Sequence, residues 1–167
     1  MKGKLEHRLI SRTRDDAAGE ALDKIAKFLE MGYPGGPAIQ KVVEEEGGDP
    51  SQMQFPRAWL EGTWNFSFSG LKTAVLRYLQ ANHLDINDMS ESDRNDIAAS
   101  FQFAAVKALT RNIEKALNQF DFKSVSLVGG VAANSSIKLP DSNVCQFGDC
   151  NGSAHQLISQ SDAGSPR

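Results

Sequence analysis

Two carboxylates near the start of the chain are the first residues whose type and spacing could do chemistry. Glu20 and Asp23 lie in the block DDAAGEALDK, which spans residues 15–24. Three residues apart on a helix, they point in roughly the same direction, and such a carboxylate can accept hydrogen bonds from the paired hydroxyls of a ribose. The residues alone favour a plainer interpretation, a solvated charge beside Lys24 and Lys27.

A glycine pair late in the chain could bring an anionic ligand close to the backbone. Residues 123–128 (KSVSLV) have the Val and Leu content of a buried strand, and they run directly into Gly129 and Gly130. Glycines let a ligand approach the main chain, and a following helix N-terminus attracts phosphate. Asn134 could offer its amide to a nucleotide there, or it could simply cap the next helix. Many α/β turns share this pattern, so both interpretations stay open.

Apolar periodicity and turn signals predict the elements that must position these residues. Helical spacing indicates four helices, and two short apolar segments indicate strands. Asp15 or Asp16 could cap the first helix, and Ser90 followed by Asp93 is a capping-box-like start for the longest one. The predicted helices span residues 15–31, 37–46, 69 or 70 to 82, and 90–119. The predicted strands are 65–69 and 123–128, and the predicted loops are 49–64 and 83–89.

The composition is that of a globular chain of 167 residues, with 40% hydrophobic residues and a formal net charge of −3. A domain that grips nucleic acid unaided is usually basic, so this charge argues against a stand-alone nucleic-acid-binding module. Cys145 and Cys150 form a single C-x4-C pair, a poor zinc signal because structural zinc sites need four ligands. No apolar run approaches the length of a membrane span, so no membrane association is expected. The expected location is the cytoplasm.

The sequence changes character after about Ser135. Residues 136–167 are rich in Ser, Gly, Asn and Asp and show little periodicity, which is typical of a poorly ordered tail. The chain is therefore expected to comprise an N-terminal segment (1–13), a folded domain (14–135) and a divergent, disordered tail (136–167).

Six blocks of the chain resemble the TsaD family, the tRNA N6-adenosine threonylcarbamoyltransferases. They are TRDDAAGEALDKIAKFL, GYPGGPAI, FPRAWL, NFSFSGLKTAV, DIAASFQFAAV and LVGGVAANS, and they occur in the family's order between about Ser11 and Ser135. The resemblance implies an α/β fold class: a helix-rich partial lobe of an actin/Hsp70/hexokinase-like (ASKHA) fold. In that fold, two lobes hold a nucleotide in the cleft between them.

The resemblance also implies ligand contacts for residues of this chain. Asp23 matches the family's ribose ligand, and Gly36 matches a position that contacts the nucleotide or the acyl-adenylate. Gln40 stands where some relatives have an acidic ribose ligand, and its amide can still form hydrogen bonds. The implied site for ATP or threonylcarbamoyl-AMP is completed by Gly129, Gly130 and Asn134. Catalytic residues remain unassigned.

The divalent metal of the family (iron, zinc or magnesium) is expected to lack its ligands in this chain. The family's paired-histidine motif is missing, since His7, His83 and His155 are isolated from one another. The family's terminal C-T-D-N-like motif is missing too, and residues 150–152 resemble it at best by chance. The sequence therefore implies a truncated, frameshifted or alternatively spliced product.

The activity implied by the resemblance is t6A formation, the transfer of a threonylcarbamoyl group from threonylcarbamoyl-AMP to N6 of the adenosine next to the tRNA anticodon. The implied partners are tRNA, a paralogous dimer partner and the ATPase of the same machinery. Because the metal ligands are missing, impaired activity is expected. The alternative is a non-catalytic fragment that binds nucleotide or partner proteins. A glycoprotein-cleaving peptidase is poorly supported, because no nucleophile–base pair or HExxH motif is found.

Overall fold

The computed structural model describes residues 8–56, 58, 60–120, 125–137 and 144–146 of the chain. These residues form four α-helices, a 3-10 turn and two strands, and so make a helix-rich α/β protein. In chain order the elements are α1 (Ala18–Phe28), α2 (Gly35–Glu45), α3 (Ser69–Ala81), α4 (Glu91–Gln119), β1 (Val125–Leu127), the 3-10 turn Gly130–Ala133 and β2 (Val144–Gln146).

Helix α1 confirms the predicted amphipathic helix but begins three residues late, at Ala18. The predicted caps are wrong, because Ala17 is the residue that precedes the helix and it has no side-chain acceptor. Asp15 bonds to the start of α3 instead, and Asp16 pairs with Lys24 at 2.6 Å. The inner face of α1 buries Ala21, Leu22, Ile25 and Ala26.

Helix α2 begins at Gly35, two residues before the predicted start at Pro37. Pro37 therefore lies in the first turn, where its missing N–H removes no helical hydrogen bond. The Tyr33-Pro34 peptide bond that leads into the helix is cis. Helix α2 buries Ile39 and Val42 and packs on both α1 and α4.

Helices α3 and α4 confirm the sequence prediction to within one residue at each end. The hydroxyl of Ser90 accepts a hydrogen bond from the backbone N–H of Asp93 at 3.1 Å, so the predicted cap is confirmed. Ile97 and Phe101 of α4 have no exposed surface and lie in the same core cluster as the inner faces of α1 and α3. Helix α4 thus packs against all three of the other helices.

The predicted strand at residues 65–69 does not form. Phe66 makes only an isolated parallel bridge to Thr13, and a strand needs a longer partner to build a ladder. At Phe68 the backbone is already helical, and α3 begins at the next residue. The two phenylalanine rings stack with their centroids 5.8 Å apart, and Phe68 is buried in the core.

Strands β1 and β2 pair in parallel, with Val125 opposite Val144 and Leu127 opposite Gln146. Strand β1 confirms the middle of the predicted strand 123–128, whose first two residues lie outside the described part of the chain. Strand β2 falls within the segment 136–167, whose composition indicates a disordered tail. The division into domains stays a prediction, because most of that segment, like His7, lies outside the described residues. No helix in the described ranges is long and apolar enough to cross a bilayer.

Candidate functional site

Asp23 joins α1 to the beginning of α2. Its Oδ1 accepts a hydrogen bond of 2.8 Å from the backbone N–H of Gly35, the first residue of α2. Pro34, which precedes that helix, has no side-chain acceptor, so Asp23 serves as a cap supplied from a neighbouring helix. One N–H donor does not exhaust a carboxylate, which has about four lone-pair directions. Asp23 therefore keeps the capacity to accept hydrogen bonds from a ligand.

The two glycines that begin α2 have different environments. A Cβ on Gly35 would lie 2.6 Å from the Cα of Asp23 and 2.7 Å from the carbonyl oxygen of Leu22, so Gly35 allows the two helices to touch. A Cβ on Gly36 would meet nothing within 4 Å. Packing within the described chain therefore explains the first glycine, whereas the second faces open space.

The backbone N–H of Gly36 is open as well. The first N–H groups of a helix have no partner inside it; Gly35 donates to Asp23, Pro37 has no N–H, and Ala38 donates to the carbonyl of Pro34 at 3.3 Å. Among the described residues, Gly36 thus holds the first-turn amide that no protein acceptor satisfies. This amide is free to donate to an oxygen of a ligand.

An open groove of about 700 Å³ runs beside α1 and the turn after it. It is lined by Glu20, Asp23, Lys24, Lys27, Glu30, Gly32 and Tyr33. The side chain of Tyr33 is 85% exposed. Lys24 lies 2.6 Å from Asp16 and 2.8 Å from Glu20, and these two hydrogen bonds, that to Asp16 first, raise the pKa of Lys24. Lys24 thereby offsets the charge of Glu20, so Asp23 is the more available acceptor.

The glycine pair after β1 lies at the beginning of α1. Gly129 has a φ of +101°, a conformation that favours glycine, and both glycines are exposed. A Cβ on Gly19 would lie 3.3 Å from Cγ2 of Val131, so the turn packs against the first turn of α1. The expected helix start is wrong, since only a four-residue 3-10 turn follows. So short a turn aligns few peptide dipoles and supplies little of the field of a helix N-terminus.

Asn134 is 6% exposed, and its side chain is engaged within the protein. Its Nδ2 donates to Oε1 of Gln102 at 3.0 Å, and its Oδ1 accepts from the backbone N–H of Ser136 at 3.0 Å. The Nε2 of Gln102 in turn donates to the hydroxyl of Ser136 at 3.1 Å. No helix follows Asn134 in the described residues, so the cap alternative is wrong, and the direct nucleotide contact stays a prediction.

Gln102 was not singled out by the sequence, although a signal was present. It is 1% exposed and lies in the buried part of α4, next to Phe101. A buried amide must find hydrogen-bond partners, so a glutamine on the buried face of α4 indicates a contact across the core. The sequence could not say that the partners would be the segment after the glycine pair.

Gln40 contacts the same segment through an acidic neighbour. Its Nε2 donates to Oε1 of Glu44 at 3.1 Å, one turn further along α2, and the hydroxyl of Ser135 donates to the same oxygen. The segment after the glycine pair therefore meets α1 at Gly19 and α2 at Glu44. The structure thus brings the predicted ligand residues, which lie far apart in sequence, onto adjoining elements.

The described residues contain no group of three or more His, Cys, Asp or Glu side chains placed to hold a metal ion. They consequently do not fit the divalent metal that the resemblance implies, and none of them is assigned as a metal ligand.

Asp15 is a second carboxylate with a role that local sequence did not show. It accepts hydrogen bonds from the hydroxyls of Ser67 and Ser69, at 2.5 and 2.6 Å, and from the N–H groups of Phe68 and Ser69, at 2.8 and 3.3 Å. Burial alone would raise the pKa of Asp15, but these donors together lower it from 3.8 to about 2. Asp15 therefore holds the beginning of α3 against the segment before α1.

Two helices that touch at Gly35, an open groove beside α1 and a glycine turn packed on Gly19 are the site features of this helix-rich α/β protein. The sequence model of the TsaD family, described as tRNA N6-adenosine threonylcarbamoyltransferase, matches residues 1–163. The chain belongs to this family.

Curated relatives bear the same description. Over 133 residues the chain is 46% identical to the tRNA N6-adenosine threonylcarbamoyltransferase of Endomicrobium trichonymphae, a match that covers 80% of the chain and 37% of the relative. The protein of that name from Symbiobacterium thermophilum is 45% identical over 138 residues, 83% of the chain and 39% of the relative. The protein of that name from Desulfotalea psychrophila is 43% identical over 146 residues, which cover 87% of the chain and 42% of the relative. The chain thus spans about two fifths of the length of these relatives.

Proposed function

We propose that this chain forms the nucleotide-binding part of a tRNA-modifying transferase, which moves a threonylcarbamoyl group from threonylcarbamoyl-AMP to N6 of the adenosine next to the tRNA anticodon. The observation that carries the proposal is that α1 contacts two segments: Asp23 bonds to the beginning of α2 beside the open Gly36, and the turn after the pair 129–130 packs on Gly19. The same turn segment reaches the last turn of α2 through Ser135 and Glu44. Family membership supplies the reaction class. An ASKHA-type fold for the longer relatives is part of the same proposal.

The groove beside α1 and the glycines outside it, Gly36 and the pair 129–130, are proposed to hold different parts of an adenylate. Asp23 accepts hydrogen bonds from the ribose hydroxyls with the lone pairs that Gly35 leaves unused. The exposed ring of Tyr33 offers an aromatic face for adenine. The Gly36 N–H donates to an oxygen of the ligand, and the open backbone at 129–130 admits the phosphate.

The proposed transfer depends on positioning more than on an acid–base pair. The N6 amine attacks the carbamoyl carbon, the new C–N bond forms, the bond from that carbon to the phosphate oxygen of AMP breaks, and N6 loses a proton. AMP is a good leaving group, so holding the acyl-adenylate in line for attack supplies much of the rate. No step is routed through a metal, because the described residues do not provide its ligands.

The tRNA substrate, a paralogous dimer partner and an ATPase belong to the proposal, as does the role of Gln40. A net charge of −3 supports the need for partners, because RNA phosphates are held mainly by Lys and Arg.

Calorimetry with ATP and with threonylcarbamoyl-AMP tests the binding, and the variant Asp23→Asn tests the site. Asparagine keeps an oxygen to accept from Gly35 but loses the negative charge, so the variant should fold and bind at least about tenfold more weakly, since hydrogen bonds to charged groups contribute about 1.5–3 kcal/mol. The control Asp88→Asn removes an exposed carboxylate from the loop between α3 and α4. No heat with either ligand up to millimolar concentration would contradict the proposal.

A transfer assay with tRNA, with and without the partner proteins, separates the transferase from a nucleotide-binding chain without activity. Modified adenosine, detected by mass spectrometry of digested tRNA, supports the transferase. Binding without modification, with the partners present, supports the alternative.

A further inference from the structure

We infer that Gln102 is a positioning residue, which fixes the conformation of the segment 129–136 so that its glycine pair is presented to the nucleotide. Only the second part of this inference, the presentation of the glycine pair to the nucleotide, rests on the proposed function. Gln102 belongs to α4, and neither the motifs nor the family comparison assigns it a role in the site.

Both ends of the Gln102 amide are bound to that segment. Its Oε1 accepts from Asn134 at 3.0 Å, and its Nε2 donates to Ser136 at 3.1 Å. Because the oxygen meets a donor and the nitrogen meets an acceptor, only one orientation of the amide satisfies both contacts. At 1% exposure, water cannot replace either partner.

The segment has little regular structure of its own to hold it. Strand β1 before it has three residues, and the 3-10 turn within it has four. Ala132 and Ile137 are buried, but apolar contacts are not directional and do not select one conformation. The hydrogen bond from Ser135 to Glu44 is directional but exposed. The two hydrogen bonds to Gln102 are directional and shielded from water, and they connect the segment to the middle of a 29-residue helix.

The position of the glycine pair then follows from that anchor. The same segment touches Gly19 on α1 and Glu44 on α2, so a shift at Asn134 moves Gly129 and Gly130 relative to both helices. A displacement of about 1 Å is enough to weaken a site that relies on orientation.

The test compares Gln102→Met with Ser100→Ala. Methionine keeps the length and helix propensity of glutamine and removes both hydrogen bonds. Ser100 is equally buried in the same helix, but its hydroxyl lies 3.5 Å from the backbone carbonyl of Asp49, away from the segment. Hydrogen exchange over residues 129–136, Tm and the Kd for ATP are measured for the whole chain and both variants.

Gln102→Met should speed exchange in residues 129–136 at least about tenfold, since one buried and one part-buried hydrogen bond are lost. It should also raise the Kd for ATP about fivefold or more. Ser100→Ala should lower Tm while leaving both other readouts unchanged. A double-mutant cycle with Asn134→Ala should show that the two exchange effects are not additive.

The hydrogen-exchange measurement and the ATP-binding measurement can each contradict the inference independently. Unchanged exchange at 129–136 in Gln102→Met overturns the inference, and so does faster exchange with an unchanged Kd for ATP. If the unmodified chain binds no ATP, the proposed function fails, and the exchange data alone decide whether Gln102 holds the segment.

Discussion

Asp15 and Asp23 both belong to the block at residues 15–24, which contains the first turns of α1. Each of them accepts a hydrogen bond from the beginning of another helix. Asp23 bonds to Gly35 of α2, and Asp15 bonds to Phe68 and Ser69 at the start of α3. A carboxylate at a helix N-terminus satisfies unpaired N–H groups and complements their partial positive charge. The block therefore ties three helices together, and this structural role exists whether or not a ligand binds.

Asp15→Asn should lower the free energy of unfolding at pH 7 by about 1 kcal/mol, a figure reduced for the solvent exposure of this carboxylate. The pKa of Asp15 is about 2 in the folded chain against an ordinary 3.8. A lowered folded-state pKa means that the stabilisation is complete above about pH 4 and is lost as the pH falls through about 2. Urea unfolding between pH 7 and pH 2 should show the difference between the two proteins shrinking in that window.

The control for this experiment is Asp88→Asn, which removes another exposed carboxylate from a loop. It should change stability by less than about 0.5 kcal/mol. A gap between Asp15→Asn and the original chain that stays constant from pH 4 to pH 2 would show that the charge of Asp15 does not stabilise α3.

The junction between α1 and α2 depends on a glycine that has no room for a side chain. In Gly35→Ala, the new methyl group would lie 2.6 Å from the Cα of Asp23 and 2.8 Å from the Cβ of Ala26, so the helices must separate. The expected cost is about 1–3 kcal/mol or more, as for other overpacked sites. Thermal unfolding of the variant measures it.

Gly36→Ala is the matched control, one residue further along the same helix. Its methyl group would point into open space, and alanine favours a helix over glycine by about 1 kcal/mol. Stability should therefore stay level or rise, while the affinity for ATP should fall if a ligand lies against this backbone. A loss of stability equal to that of Gly35→Ala would mean that α2 does not approach α1 through Gly35 alone.

At the scale of elements, the sequence was informative wherever the signal is local. The predicted bounds of α3 and α4 hold because apolar periodicity and the Ser90 cap act within a few residues. The prediction of a strand at 65–69 was wrong because a strand needs a partner of similar length. The segment around Thr13, more than 50 residues away, pairs with Phe66 at one position only. The prediction that Asp15 caps α1 was wrong for the same reason. Asp15 instead accepts a hydrogen bond from Phe68, which lies 53 residues further along the chain.

In the candidate site, too, local motifs indicated individual residues but not the contacts between distant parts of the chain. The motifs pointed to Asp23, Gly36 and the pair 129–130, whose residue types suggest what they could bind. They could not show that Asp23 caps α2 or that Gln102 holds Asn134, because each contact joins separate elements of the tertiary structure. Such contacts leave no periodic pattern in one sequence.

At the scale of the whole molecule, stability should be unevenly distributed. The core cluster is drawn mostly from α1, α3 and α4, whereas β1 and β2 are strands of three residues each. Parallel strands normally occur in larger sheets covered on both faces, and a two-stranded sheet is marginal in water. The described sheet therefore depends on the helices far more than the helices depend on it.

Native-state hydrogen exchange should resolve this difference. Amides of residues 97–108 in α4, where Ile97, Ala98 and Phe101 have no exposed surface, should exchange only by global unfolding. Amides of 125–127 should exchange through local opening, at least about a hundredfold faster. Adding a mild denaturant should speed the first group and leave the second nearly unchanged, because local opening exposes little surface. Equal protection of both groups would mean that the sheet and the helices unfold as one cooperative unit, and that β1 contributes to the core as strongly as α4.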